Sequence, residues 1–333
     1  MDNQPARRIT RADVARVAGT SVAVVSYVIN KGPRPVAEAT RLRVLAAIEQ
    51  TGYRPNDIAR ALASGSTQTY GLVVPDISNP FFAMLARALQ REAFSHGRVL
   101  LLGDAGDDRQ REYELINHLL NRQVDGLLYT SVDRHPWFDL IRTSGTPCVM
   151  IDTIDNQAGI CAIRVDERDA ARQATRHLLQ HGYLEIGIFV GPLTMLNAQA
   201  RLNGWRDALR EAGITPREEW IFEAPYTRQG GFQATQKMVQ GPRPRAIFTS
   251  NEQQALGCLS ALAEHRLHVP DDLAIICFNG TQQSEFSVPP LSAVEQPIDA
   301  MARQAIAMLA AGAAQPELHE FAFQLHIRRS CGC

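Results

Sequence analysis

Ten lysines and arginines crowd into residues 1–70 (positions 7, 8, 11, 16, 31, 34, 41, 43, 54 and 60) against five acids (2, 13, 38, 49 and 57). The whole chain of 333 residues carries a net charge of −1, so the rest of it holds a surplus of six acids. Clustered guanidinium and ammonium groups are phosphate-binding chemistry. A solvated basic tail would give the same count. Here, however, the charges alternate with apolar residues at helical spacing, which points to a folded element that meets phosphate.

Other chemistry is sparse. Six cysteines (148, 161, 258, 277, 331 and 333) show no metal-ligand spacing. The first four lie in apolar segments and read as small buried hydrophobes, and the Cys-Gly-Cys at 331–333 reads as a loose, solvated tail. The nine histidines, among them His96, His118, His135, His177 and His181, show no paired spacing and read as solvated or core groups. There is no Gly-x-Gly-x-x-Gly, no Walker loop, no His-Glu-x-x-His and no Gly-x-Ser-x-Gly elbow. No catalytic residue, metal or cofactor is therefore expected, although a turnover assay could still revive an α/β enzyme. A solute-binding transport component fails on the basic head and the polar stretch Met1–Arg11, which lacks a signal-peptide core. No apolar run approaches the roughly 20 residues of a membrane span. The expectation is a reduced, cytoplasmic protein.

The elements that position the basic residues begin at residue 9. Thr10 is a good helix N-cap, with Asp13 three places on to complement the first turn. Val14, Val17 and Ala18 form an apolar face, Gly19 permits a left-handed turn, and Ser21 can cap a second helix running to Asn30. Val25 and Ile29 should close a miniature core; Val22 suits either core or surface. A third helix is expected from about Val36 to Gln50, with Leu42, Leu45 and Ile48 inward and Gly52 as its stop. Two short helices joined at a glycine turn are a common way to lay one helix in the DNA major groove.

Residues 52–65 form a second signal. Pro55 sets a boundary, Asn56 can cap, and Ala59, Ala61 and Ala63 favour helix. Two turns of isolated helix are not stable in water, so this segment needs a partner.

Two motifs carry a family resemblance. Asp-Val-Ala-x-x-Ala-Gly-x-Ser-x-x-x-Val-Ser-x-Val-Ile-Asn spans 13–30, and Gly-Tyr-x-Pro-Asn-x-x-Ala-x-x-Leu spans 52–62. With these motifs, and with similarity continuing to the final Arg-Arg-Ser-Cys-Gly, the chain resembles the LacI/GalR family of transcription regulators. The resemblance implies that Val22, Ala23 and Tyr27 face base edges, and that Leu62 inserts into the minor groove beside its two-fold mate. The side chains at 22, 23 and 27 offer methyl contacts and one phenol, without a bidentate arginine fork, so more of the specificity should come from DNA shape. Ser21, Ser26, Asn30 and nearby arginines suit phosphate contacts, and Asn56 and Ala59 complete the expected DNA-contacting set.

From Tyr70 onward, short apolar runs alternate with amphipathic helices, the pattern of parallel sheets covered on both faces. The expected fold class is α/β: a three-helix head over 1–55, a hinge over 56–68, and a body over 69–333 of two doubly wound lobes. Lobe 1 is expected at about 69–162 and 293–320, lobe 2 at about 163–292 and 321–333. Ligands of such sheets bind beyond the strand C-terminal ends, here in a cleft that can close. The family fold resembles periplasmic sugar-binding proteins, and matching its motifs gives the effector candidates Phe81, Phe82, Asp152, Arg201, Tyr226, Asn251 and Asn279. Met195-Leu196 occupy places that are often polar in the family, and Asn279 replaces a usual aspartate. Each candidate also has an ordinary role open to it: core for Phe81 or Phe82, a helix ion pair for Arg201, a turn for Asn279. The resemblance thus implies a homodimeric regulator, a repressor, that binds a palindromic operator under control of a carbohydrate-like effector. No zipper follows Ser330, so a dimer is expected rather than a tetramer.

Overall fold

A computed structural model of the chain describes residues 9–30, 34–131, 133–151, 159–313 and 315–333. It contains two compact units that divide between Thr67 and Gln68.

The first unit holds α1 (Arg11–Ala18), α2 (Val22–Asn30), α3 (Glu38–Thr51) and α4 (Asp57–Ser64). Thr10 and Asp13 form a reciprocal capping box at the start of α1, and Gly19 ends that helix in the left-handed region at φ 61°. The chain then turns through 105° into α2. Val14, Ala15, Ala18, Val25, Val44, Ala47 and Tyr53 make the small core, with Val28, Ile29 and Ile48 packed against it. Three inward assignments are corrected. Val17, Leu42 and Leu45 are exposed, Leu42 at 58%. Residues 42, 45 and 48 step by three and drift around the helix, whereas Val44, Ala47 and Ile48 share one face. Alanines at 15 and 47 let the helices approach closely enough to close the core without the leucines.

The second unit contains two six-stranded sheets. In chain order its elements are β1 (Thr69–Val74), α5 (Pro80–Ser95), β2 (Val99–Asp104), α6 (Arg109–Asn121), β3 (Gly126–Tyr129), α7 (Phe138–Ser144), β4 (Cys148–Ile151) and β5 (Cys161–Val165). There follow α8 (Glu167–Gln180), β6 (Ile186–Val190), α9 (Leu196–Glu211), β7 (Ile221–Glu223), α10 (Arg228–Met238), β8 (Ala246–Thr249), α11 (Glu252–Glu264), β9 (Ala274–Phe278) and α12 (Gln282–Phe286). The last elements are β10 (Ser292–Glu295), α13 (Ile298–Ala310), β11 (Leu318–Phe321) and β12 (Gln324–His326).

The first sheet runs β11-β5-β4-β3-β1-β2 and is wholly parallel; the second runs β12-β10-β9-β8-β6-β7, with only β12 antiparallel. Strands such as Ala274–Phe278 are buried along their whole length, as parallel strands covered on both faces must be. Sheet membership shifts the expected lobe crossings by a few residues. All of β5 belongs to the first sheet and all of β10 to the second, so the chain crosses after Val165, after Glu295 and between Phe321 and Gln324.

Burial pushes the thiols of Cys148, Cys258 and Cys277 up to about 12, which makes them inert core groups. The tail assignment for residues 331–333 is corrected: Cys331 is fully buried, while Gly332 and Cys333 are exposed.

Candidate functional site

Each unit carries one candidate site. In the first, α2 buries Val25 and turns residues 22, 23, 26, 27 and 30 onto its other side. Val22 is 46% exposed, which places it on the surface rather than in the core. Ser21 and Ala23 are exposed, and the Ser21 hydroxyl accepts from the Val24 amide at 3.3 Å. Tyr27 is half-buried. Ser26 Oγ lies 3.5 Å from Arg11 Nη1 and 3.3 Å from Asn30 Nδ2, so a polar row runs along the outer face. On α4, Ala59 and Leu62 lie one helical turn apart. Leu62 is 81% exposed, and Asn56, just ahead of the helix, is half-buried with its carbonyl accepting from Arg60 N. A leucine held out on a short helix is an unsatisfied apolar group awaiting a surface.

In the second unit, one cavity lies between the two sheets at the strand C-terminal ends. Its interior space is about 60 Å³, below the roughly 300–1,000 Å³ of small-ligand sites, so the lobes must part to admit a ligand of that size. Phe81, Phe82, Arg201, Tyr226, Asn251 and Asn279 all line it. Asp152 lies outside the described residues, next to Ile151, which lines the cavity at the end of β4.

The wall is pre-set by packing and hydrogen bonds. Asn79 caps α5 by accepting from Phe81 N at 3.1 Å, and Phe81 and Phe82 meet edge to face at 5.3 Å. Arg201, 4% exposed, donates to Glu167 Oε1 at 3.0 Å and to the Ser250 carbonyl at 2.6 Å. Its guanidinium also lies 4.0 Å from the Phe278 ring centroid and 5.6 Å from that of Tyr226. The ion-pair role and the cavity-lining role open to Arg201 are thus filled together.

Tyr226 donates to Asn197 Oδ1 at 3.0 Å. Its ring fits because residue 191 is glycine, where a Cβ would sit 2.1 Å from Tyr226 Cζ. Asn251 caps α11 by accepting from Gln254 N at 2.8 Å, and donates to the Tyr226 carbonyl at 2.9 Å. Asn279 adopts a left-handed φ of 60°, which asparagine tolerates, and accepts from Gln296 Nε2 at 2.6 Å. Behind it, the buried Glu252 carboxylate receives four donors from Thr281 and Ser284 at 2.6–2.9 Å, fixing the loop after β9.

Further lining residues escape the sequence reading: Thr130, Arg164, Glu167, Asn197, Gln296 and Met301. Thr130 and Glu167 closely follow strands, so the rule of strand C-terminal ends would have found them. Gln296 stays hidden because β10 does not read as a strand.

Among the described residues no single helix is long and apolar enough to cross a membrane. Residues 10–56 match the model of bacterial regulatory proteins of the lacI family, and residues 67–314 match that of periplasmic binding proteins and the sugar-binding domain of the LacI family. Catabolite control protein A of Priestia megaterium is 36% identical over 87% of this chain and 88% of its own. The ribose operon repressor of Escherichia coli (strain K12) is 34% identical over 95% of this chain and 96% of its own. Among solved structures, the Lac repressor dimer bound to operator and the anti-inducer ONPF superimposes with a TM-score of 0.85 at 26% identity, covering 98% of this chain and 99% of that one. A CelR–cellobiose complex matches with a TM-score of 0.73 at 27% identity, covering 97% of this chain and 100% of that one. With a helix-turn-helix head, a two-sheet body of the periplasmic-binding-protein type and matches along nearly its whole length, the chain belongs to the LacI family of bacterial regulatory proteins and is a DNA-binding transcription regulator, not an enzyme.

Proposed function

We propose that two copies of this chain form a cytoplasmic repressor that grips a palindromic operator and is switched by a sugar or sugar derivative held between the lobes. The observation that carries this reading is the cavity that gathers Phe81, Phe82, Arg201, Tyr226, Asn251 and Asn279 from both lobes. Aromatic faces suit the C–H face of a sugar ring. Side-chain amides, each both donor and acceptor, suit its hydroxyls. Relatives named for ribose and solved with cellobiose favour the same ligand class.

Dimerisation through the outer edge of the first sheet is supported by its surface. The edge strand β2 exposes Val99, Leu101 and Leu102, and Phe94 at the end of α5 is 77% exposed. An uncovered apolar edge strand is an aggregation hazard unless a partner covers it. Two heads aligned by such a dimer would set α2 of each copy in a major groove, with Ser21, Ser26 and Asn30 on phosphates and Val22, Ala23 and Tyr27 at base edges. Paired α4 helices would then place Leu62, beside Ala59 and Asn56, as a minor-groove wedge. Effector binding would change the angle between the lobes and so the order of the α4 pair. A coupling of about 1–3 kcal/mol suffices for a 5–150-fold switch.

The test removes residues 1–65. The remaining body should keep its thermal stabilisation by the effector sugar and lose operator binding; loss of both or of neither contradicts the modular reading.

A further inference from the structure

We infer that His177, His181, Cys331 and Cys333 form a closed binding site for a tetrahedral divalent metal ion, best matched by Zn²⁺. The site is separate from the cavity. His177 and His181 are one turn apart at the C-terminal end of α8, whose first residue, Glu167, lines the cavity; ten residues of helix put about 15 Å between them.

The cysteines are delivered by a tail that is built into the second sheet. Ser330 Oγ donates to the Ile275 carbonyl at 2.7 Å and accepts from Ser292 N at 2.8 Å, and Arg328 Nη1 donates to the Leu291 carbonyl at 2.8 Å. Cys331 is thereby buried beside Ser292, whose hydroxyl donates to its sulfur at 3.1 Å. Gly332 then turns the chain through a left-handed φ of 96°, with no side chain to strike the nearby Tyr183 hydroxyl. The turn brings the second sulfur back to the same helix end.

Four ligand atoms converge as a result. Cys331 Sγ lies 3.3 Å from His177 Nε2, while Cys333 Sγ lies 2.9 Å from His181 Nε2 and 3.7 Å from His177 Nε2. All four fall within 4.8 Å of one another, the one such group of His, Cys, Asp or Glu among the described residues. Zinc bond lengths of about 2.3 Å to sulfur and 2.0–2.1 Å to nitrogen imply ligand separations of about 3.3–3.8 Å in a tetrahedron. The observed distances bracket that range, and two exposed side chains, His181 and Cys333, are free to adjust. Two thiolates neutralise the ion, two imidazoles complete the donor set that favours zinc, and the carbonyl end of α8 adds a favourable dipole. With four protein ligands there is no open position for substrate. The site is a clamp that ties residues 331–333 to α8.

The test uses the reduced full-length chain, stripped with a chelator and titrated first with Co²⁺ and then with Zn²⁺. One equivalent of Co²⁺ should give the intense visible bands of a tetrahedral site and a thiolate-to-cobalt charge-transfer band. Zn²⁺ should displace it with affinity tighter than micromolar and raise the melting temperature. His181→Ala and Cys333→Ser, both changes at exposed side chains, should fold normally and weaken binding more than about 100-fold. Cys258→Ala should not. A weak octahedral cobalt spectrum, or affinity unchanged in His181→Ala and Cys333→Ser, would overturn the proposal. So would reduced protein that binds no metal after carrying a Cys331–Cys333 disulfide as isolated.

Discussion

Arg201 and Glu167, 4% and 6% exposed, meet at 3.0 Å across the packed pair α8 and α9, and both face the cavity between the sheets. A buried pair of this kind is weak evidence for stability as such, but removing one partner strands the other's charge. Glu167→Ala and Arg201→Ala are each expected to destabilise the chain by about 3–5 kcal/mol in denaturant unfolding, while combining Glu167→Leu with Arg201→Met recovers much of that loss. If both single changes were neutral, the pair would not be organising this wall.

Tyr226 is the second organising point, because its ring occupies the space that a side chain at 191 would need. Gly191→Ala is expected to displace Tyr226, break its 3.0 Å hydrogen bond to Asn197 and abolish sugar-induced stabilisation. Operator binding by the unliganded protein should survive. Calorimetric titration and fluorescence anisotropy separate the two effects.

The exposed Leu62 gives a prediction on the DNA side. Burying a leucine contributes about 1.5–3 kcal/mol, so Leu62→Ala is expected to weaken operator binding roughly 10–150-fold. Sugar binding should be unchanged. An equal loss on non-operator DNA would show that the residue acts through general phosphate affinity instead.

The apolar edge of the first sheet can be tested by size. Leu102→Glu places a charge on β2 at a side chain that is already exposed, so folding should be preserved while the dimer dissociates in light-scattering measurements. Operator affinity should fall with it. A variant that stays dimeric would move the interface elsewhere.

One carboxyl yields a pH prediction. Desolvation, reinforced by Asp76 and Asp104, holds the Asp107 carboxyl above the ordinary carboxylate value. Its charged form is therefore disfavoured on folding. The stability it contributes is full below the ordinary carboxylate pKa and is lost as pH rises through the raised one. Asp107→Asn, compatible with the left-handed φ of 55°, should raise the melting temperature at neutral pH. The side chain is exposed, so the gain stays under about 1 kcal/mol. It should shrink as pH falls toward about 4.

Much of this architecture is legible because its signals are local. Continuous apolar runs such as Ile186–Val190 and Ala274–Phe278 read as doubly covered strands and are buried throughout. The capping box at Thr10 and the glycine turn at Gly19 are written in adjacent residues. What fails depends on partners distant in sequence. Ser292–Glu295 carries too little apolar character to read as a strand; pairing with β9 and β12 makes it one, and Gln296 enters the cavity with it. Leu42 and Leu45 read as core when the period is counted in threes, where the packed face follows 44, 47 and 48. His177 and His181 read along the chain as unpaired, solvated or core groups; the helix end brings them together, and nothing local announces that residues 331 and 333 return to them.

The central claim is that occupancy of the cavity changes grip on DNA. The direct test is anisotropy of a labelled palindrome, selected from a random library by the full-length chain, measured with and without the sugar that most raises the melting temperature. Operator affinity should change 5–150-fold on saturation with that sugar, and the change should disappear in Gly191→Ala. Identical affinities with and without that sugar, at concentrations that saturate the thermal shift, would contradict it.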